Sequence, residues 1–190
     1  MSALRLGPAS ITVFLALSAG CAHAPRGTAL RDDPIADSLA AGMGDNVRQM
    51  VTEVRAATAR FRDIDSAVAA GYPREVARCY VDSMGAMGYH HVNRALADST
   101  LDVWHPEILL YERGDDGAYR LTAVEYIVPY RIWAANSDSI PTVHGQRLHH
   151  VDEVNTWGLH VWAWKRNPAG LFANWNPDVH CPPGTPLGLR

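Results

Sequence analysis

The strongest pattern along the chain lies between positions 45 and 70. Val47, Met50, Val51, Val54, Phe61, Ile64 and Val68 recur at three- and four-residue spacing, with Arg48, Glu53, Arg55, Arg60 and Asp63 between them. That period gathers the apolar side chains on one stripe of an α-helix. Gly71 offers a C-cap position and Pro73 follows it, so the stripe predicts a helix over about 45–70. The same stripe would also serve a coiled-coil partner.

Downstream the period shortens to two. "EILLYER", "GDDG" and "AYRLTAVEYIVP" read as a hairpin, because Gly-Asp and Asp-Gly pairs supply the positive φ angles of a tight reversal. In its second strand Leu121, Ala123, Glu125 and Ile127 share one face, and Thr122, Val124, Tyr126 and Val128 the other. Glu125 therefore stands among apolar neighbours, where a carboxylate needs a partner. "TWGLHVWAWK" alternates likewise and puts His160 in a row with Gly158, Trp162 and Trp164. Exclusion of water by the indoles makes the neutral imidazole the cheaper form. "SMGAMGYHHVN" suits neither period and predicts a sharp glycine-rich loop carrying His90 and His91; a long turn-rich loop follows Tyr130. Helix first and strands afterwards predict an α+β domain, with an N-terminal amphipathic helix packed on a mainly antiparallel β-sheet.

The termini change the picture from a bare domain to an exported one. Residues 1–20 carry a single charged side chain, Arg5, followed by "ITVFLALSA", which has the length of a signal h-region and is too short to span a bilayer. Leu17-Ser18-Ala19-Gly20-Cys21 resembles a bacterial lipobox, in which Cys21 would be acylated, for example with palmitate; Ala22-His23-Ala24 offers ordinary signal cleavage instead, but Pro25 follows it. The expected organisation is a signal peptide over 1–20, a tether over 21–44, one globular domain over 45–181 and a loose tail over 182–190. By resemblance to lipoprotein sorting, Ala22 after the cysteine implies the outer membrane, facing the periplasm, in a Gram-negative cell; a soluble periplasmic or secreted protein is the other reading.

Cysteine count and charge agree with export. With Cys21 lipidated, Cys79 and Cys181 remain as one even pair in a compartment that permits disulfides. Their bridge would close a loop of about 100 residues, contributing up to roughly 4–5 kcal/mol in the chain-entropy model. Two free thiols or a thiolate metal site are the alternatives. Beyond residue 20 the net charge is near −4, with no basic patch of the kind nucleic acid requires. The expected partners are thus the membrane, through the lipid, and a small molecule or another envelope component. GxSxG, Walker, dinucleotide and CxxCH signatures are all missing from the sequence.

"AMGYHHVN", "LLYER" with "LTAVEY", and "LHVWAWKRNPAGLFANWNPDVHC" together resemble an uncharacterised family of secreted bacterial proteins and lipoproteins, over roughly residues 55–181. Ala86 stands where that family usually has glycine, Arg113 where it has proline, and His91 where it has an aromatic residue. The resemblance carries no assigned reaction. It does single out His90, and with Glu125 and His160 this makes two imidazoles and a carboxylate, a known ligand set for zinc or non-haem iron, with copper also suited to imidazole. His91, His144, His149 or His150 would be further donors. Against this stand plainer readings: a core histidine donating to a backbone carbonyl, Glu125 paired with Arg120 or Arg131, and a metal-free cleft walled by Trp157, Trp162, Trp164 and Trp175. A purely structural or interaction lipoprotein is the plainest reading of all.

Overall fold

The computed structural model describes residues 34–74 and 77–188. The predicted signal segment over 1–20, Cys21 and residues 22–33 of the predicted tether lie outside this range. Among the described residues no helix is long and apolar enough to cross a membrane.

The period-two segments form the sheet. Six strands, β1 (Arg78–Asp82), β2 (Gly85–Val92), β3 (Ile108–Arg113), β4 (Tyr119–Pro129), β7 (His149–Val151) and β8 (Thr156–Val161), lie in the order β1-β2-β3-β4-β8-β7 with every adjacent pair antiparallel. A helix, α4 (Tyr130–Ala134), and a two-residue ladder, β5 (Thr142–Val143) with β6 (Gln146–Arg147), fill the predicted long loop. The hairpin of β3 and β4 closes as its sequence predicts: Gly114 N donates to Ala118 O at 2.9 Å, and Gly117 takes φ +77°. The architecture is α+β.

The "GYHHVN" run is not the predicted loop. It is β2, paired on both sides. Its glycines misled the pattern because they serve close backbone approach within a strand. A Cβ on Gly88, whose φ is +92°, would stand 2.6 Å from the Tyr111 carbonyl oxygen, and one on Gly85 would collide with the Asn176 backbone.

The single helix predicted over 45–70 is three pieces: α2 (Asp45–Thr58), a 3₁₀ turn (Ala59–Arg62) and α3 (Ile64–Ala69). Asp63 makes the break. Its backbone is extended and its carboxylate accepts from Asp65 N at 3.1 Å, capping α3 instead of continuing α2. The apolar stripe survives because Val47, Met50, Val51, Val54, Phe61 and Ala67 from all three pieces enter one core. Each large side chain so buried contributes about 1.5–3 kcal/mol. A further helix, α1 (Pro34–Leu39), occupies part of the predicted tether and buries Ala36.

These helices meet one face of the sheet. Tyr111 Oη donates to the Phe61 carbonyl at 2.6 Å, and Arg55 Nη1 to the Ala163 carbonyl at 2.8 Å. Because neighbours along a strand face opposite ways, Leu109, Val124 and Val161, which pair in register, belong to that face while Glu125 and His160 turn away from it. The chain after β8 returns to the β1–β2 end of the sheet, with Asn174 and Trp175 against the cavity beside Glu125: Ala86 and Asn176 form a bridge, and Cys79 is bonded to Cys181 with their Cα atoms 5.7 Å apart. Residues 182–188, predicted as a loose tail, continue along the outer edge of β1, where Leu187 bridges Val81 and Gly188 N donates to Val81 O at 2.9 Å. An open strand edge offers such partners.

Candidate metal centre

Glu125 and His160 are direct partners across the β4–β8 ladder, so their side chains leave the sheet side by side on the face away from the helices. His90 joins them from β2, on the far side of β3. Its Nε2 is 3.5 Å from Glu125 Oε2, and His160 Nε2 is 3.7 Å from the same oxygen. Among the described residues these three form the one group of ligand-type side chains whose donor atoms all lie within 4.8 Å of one another. All three are buried.

Two ligands held about 2.0–2.1 Å from a tetrahedral ion stand roughly 3.3 Å apart. The two carboxylate–imidazole separations therefore need to contract by only a few tenths of an ångström. The His90 ring is also oriented for the task. Its Nδ1 faces the Gly88 carbonyl at 3.1 Å, which makes Nδ1 the proton donor and leaves the Nε2 lone pair aimed at Glu125. Here the glycine-rich strand has its local use, since it is the Gly88 carbonyl, next to the register break at Met87, that the ring meets. Gly158 does something similar for the carboxylate: a Cβ there would come within 3.0 Å of Glu125 Oε1.

Burial dominates the electrostatics. It pushes Glu125 up to about 8, with the nearby Glu107 carboxylate adding to the rise. It also brings His90 down to about 4, against the partial support of the Gly88 and Arg78 backbone. His160 is held well below the ordinary histidine range by burial first, then by His90 and His149, with Asn174 opposing. Near neutral pH all three groups are therefore uncharged in the metal-free chain. A dication would change this balance by displacing the Glu125 proton.

The plainer pairings expected for these residues are not made. Arg120 is bound to Asp116 through a 2.6 Å contact, and no arginine among the described residues is paired with Glu125. Among the described residues the His160 ring nitrogens make no hydrogen bond of good geometry, and the side chain that acts on them is Asn174. Its ring lies nearly parallel to Trp162, with centroids 6.5 Å apart.

The proposed additional ligands separate. His91 is the residue after His90 on a strand, so it points to the helix side and packs against Tyr111 and Tyr119; it is not part of the centre. His150 is engaged by Asp152 at 2.7 Å and Asn155 at 3.2 Å, and His144 by Glu53 at 2.9 Å. His149 remains: its Nε2 is buried, makes no hydrogen bond and belongs to the wall of the cavity above the triad. Of the tryptophans predicted to wall a cleft, Trp175 alone lines that cavity. Trp162 is fully buried and donates to the Ala173 carbonyl; Trp164 lies under Arg55 and donates to Thr58; Trp157 packs on Tyr130 and His150. Those three indoles serve the core because each found a packing surface or a carbonyl.

One buried acid escaped the sequence reading. Glu107, in "HPEILL", is 1 % exposed, accepts from Ile127 N at 2.9 Å and is pushed up to about 8 by burial. It closes the end of the β3–β4 ladder, where Pro106 and its neighbours no longer supply a partner for β4. A carboxylate directly before an apolar strand was the available signal.

No family model, curated protein or solved structure matches the chain. The functional reading accordingly stands on the residues and their geometry.

Proposed function

We propose that this protein binds one transition-metal ion through His90 Nε2, Glu125 Oε2 and His160 Nε2, as an exported lipoprotein tethered to the cell envelope through Cys21. The observation that carries the metal reading is the convergence of three buried ligand atoms on which, among the described residues, no arginine or lysine makes a competing claim. Three protein ligands leave coordination positions open toward the cavity, as in catalytic rather than structural sites. Two imidazoles and a carboxylate suit zinc or iron(II), and copper less well. The lipobox-like Leu17–Cys21 segment supports the envelope address, and the resemblance to secreted proteins and lipoproteins agrees with it. In this reading the helices preceding β1 form the cover of the sheet's other face and leave the metal face free.

Metal analysis of the untagged chain tests the metal reading. We expect close to one ion per chain after purification or zinc reconstitution, and a thermal midpoint that falls on chelation and returns with metal. A chain that takes up no zinc, iron or copper, and whose stability ignores chelator, contradicts it. Labelling with a fatty-acid analogue tests the anchor: wild type takes the label, and Cys21→Ser does not.

A second reading has its own support. The cavity above the triad is lined by Trp175, Ile108 and Ile127, which fits a metal-free module binding a small molecule.

A further inference from the structure

The cavity that opens from His90, Glu125 and His160 has a volume of about 480 Å³, within the range of small-molecule sites. Its character is set by what lines it. Ile108, Ile127, Val151, Val154 and Trp175 give apolar walls, and among the described lining residues there is no lysine or arginine. Apart from Glu125, its ionisable acids are Asp82 and Glu153, with Glu153 exposed at the rim. An anionic ligand reaching past these residues would meet two charges of its own sign and no lysine or arginine to pair with. Like charges repel, and a charge taken from water without a partner is costly.

A second observation is independent of charge. His149 Nε2 is buried without a hydrogen-bond partner, although its residue lines the cavity. Leaving such an atom unsatisfied is costly, and a ligand's hydroxyl or carbonyl would give it the partner it lacks.

Resting on the metal reading of the triad, we infer that the cavity takes an uncharged, largely apolar small molecule and discriminates against anions. One neutral donor of the ligand occupies an open position on the ion, its apolar body lies against Ile127 and Trp175, and a hydrogen-bonding group meets His149. The ion favours a donor atom at the floor, while the walls and rim decide which charge can accompany it.

Two probes of nearly equal shape test this. 4-Phenylimidazole and 4-(imidazol-4-yl)benzoate present the same donor nitrogen and ring system, and differ by a carboxylate at the far end. Binding is followed by calorimetry and by tryptophan fluorescence on the full chain at mildly alkaline pH, with and without one equivalent of zinc. The neutral probe is expected to bind at least about tenfold more tightly, a difference of about 1.4 kcal/mol. Glu153→Lys, which places a cation at the exposed rim, is expected to shrink that ratio to about threefold or less. Carboxylate binding as tight as that of the neutral probe, or a ratio that Glu153→Lys leaves unchanged, overturns the inference. Zinc stoichiometry from the same samples reports separately on the triad. A chain that takes no zinc but keeps the preference for the neutral probe refutes the metal site and upholds the selectivity of the cavity.

Discussion

The two faces of the central sheet are built from similar numbers of polar groups placed among apolar ones, yet they are finished differently. On the helix face the fully buried phenols and the buried acid are matched: Tyr111 donates to Phe61, Tyr126 to Val103, Tyr72 to Pro106, and Glu107 accepts from Ile127. On the opposite face the His149 Nε2 is buried with no hydrogen bond among the described residues, and the Glu125 carboxylate is paired with two imidazoles, His90 and His160. Native interiors satisfy nearly all buried polar atoms. Burial of an imidazole does not by itself set the faces apart, since His91 is fully buried on the helix side; what sets the other face apart is that three ligand-type side chains converge on it.

The sharpest way to separate the two faces is through what holds the open one in place. Cys79–Cys181 ties β1 to the segment whose Asn174 and Trp175 line the cavity, the bonded positions being 102 apart in sequence. Replacing both cysteines by alanine is expected to cost about 2–5 kcal/mol, read by denaturant unfolding. Metal affinity in the chain that still folds should fall with it, because His90 lies on the strand next to β1.

The ligands themselves come next. Glu125→Gln or His160→Ala should weaken zinc binding by at least about 100-fold, since loss of even an outer-shell partner costs 10–100-fold. Glu107→Gln, an equally buried acid on the other face, should leave zinc affinity within about threefold. Equal losses from both carboxylates, measured by chelator competition, would erase the distinction between the faces.

Acidity provides a third separation. Glu125 is raised from 4.5 to about 8, so in the metal-free chain it favours folding below its unfolded pKa and withdraws that support as pH rises toward 8. His90 is lowered from 6.5 to about 4, so its contribution is present above 6.5 and lost as pH falls toward 4. Glu125→Gln should therefore stabilise the metal-free chain near pH 8, on the order of 2–4 kcal/mol, and change little near pH 4. With metal the order reverses. Zinc uptake below pH 8 should release close to one proton from Glu125, a number that declines above pH 8 and is absent from Glu125→Gln; calorimetry in buffers of different ionisation enthalpy measures it.

The smallest expected effect is on the helix face. Tyr126→Phe removes one buried hydrogen bond to Val103 and should cost about 0.5–1.5 kcal/mol with no change in zinc affinity.

The two faces also differed in how much the sequence disclosed. The β3–β4 hairpin was legible because alternation and the Asp-Gly turn act locally, and local chemistry is what a sequence displays. The β4–β8 pairing that sets Glu125 beside His160 was not, since 34 residues separate the two positions and nothing local fixes their register. The apolar flanks of Glu125 and the resemblance around His90 suggested the trio; neither could show that the side chains meet. His91 was misplaced for one reason: Gly85 and Gly88 concealed a strand, and without strand alternation His90 and His91 seemed equally available. The break in the 45–70 helix was legible in principle, from Asp63 followed by Ser66, whose hydroxyl donates to the Asp63 carboxylate at 2.7 Å. The longer apolar period outweighed that shorter capping signal.

We propose that a metal ion sits between His90, Glu125 and His160, on the face away from the helices. Crystals of the full-length or signal-free chain, grown with zinc and measured above and below the zinc absorption edge, test it most directly. The metal reading predicts one strong anomalous peak about 2.0–2.2 Å from His90 Nε2, Glu125 Oε2 and His160 Nε2, lost in Glu125→Gln. A zinc-saturated crystal with no peak there, or with its ion at His150 and Asp152 instead, would contradict it.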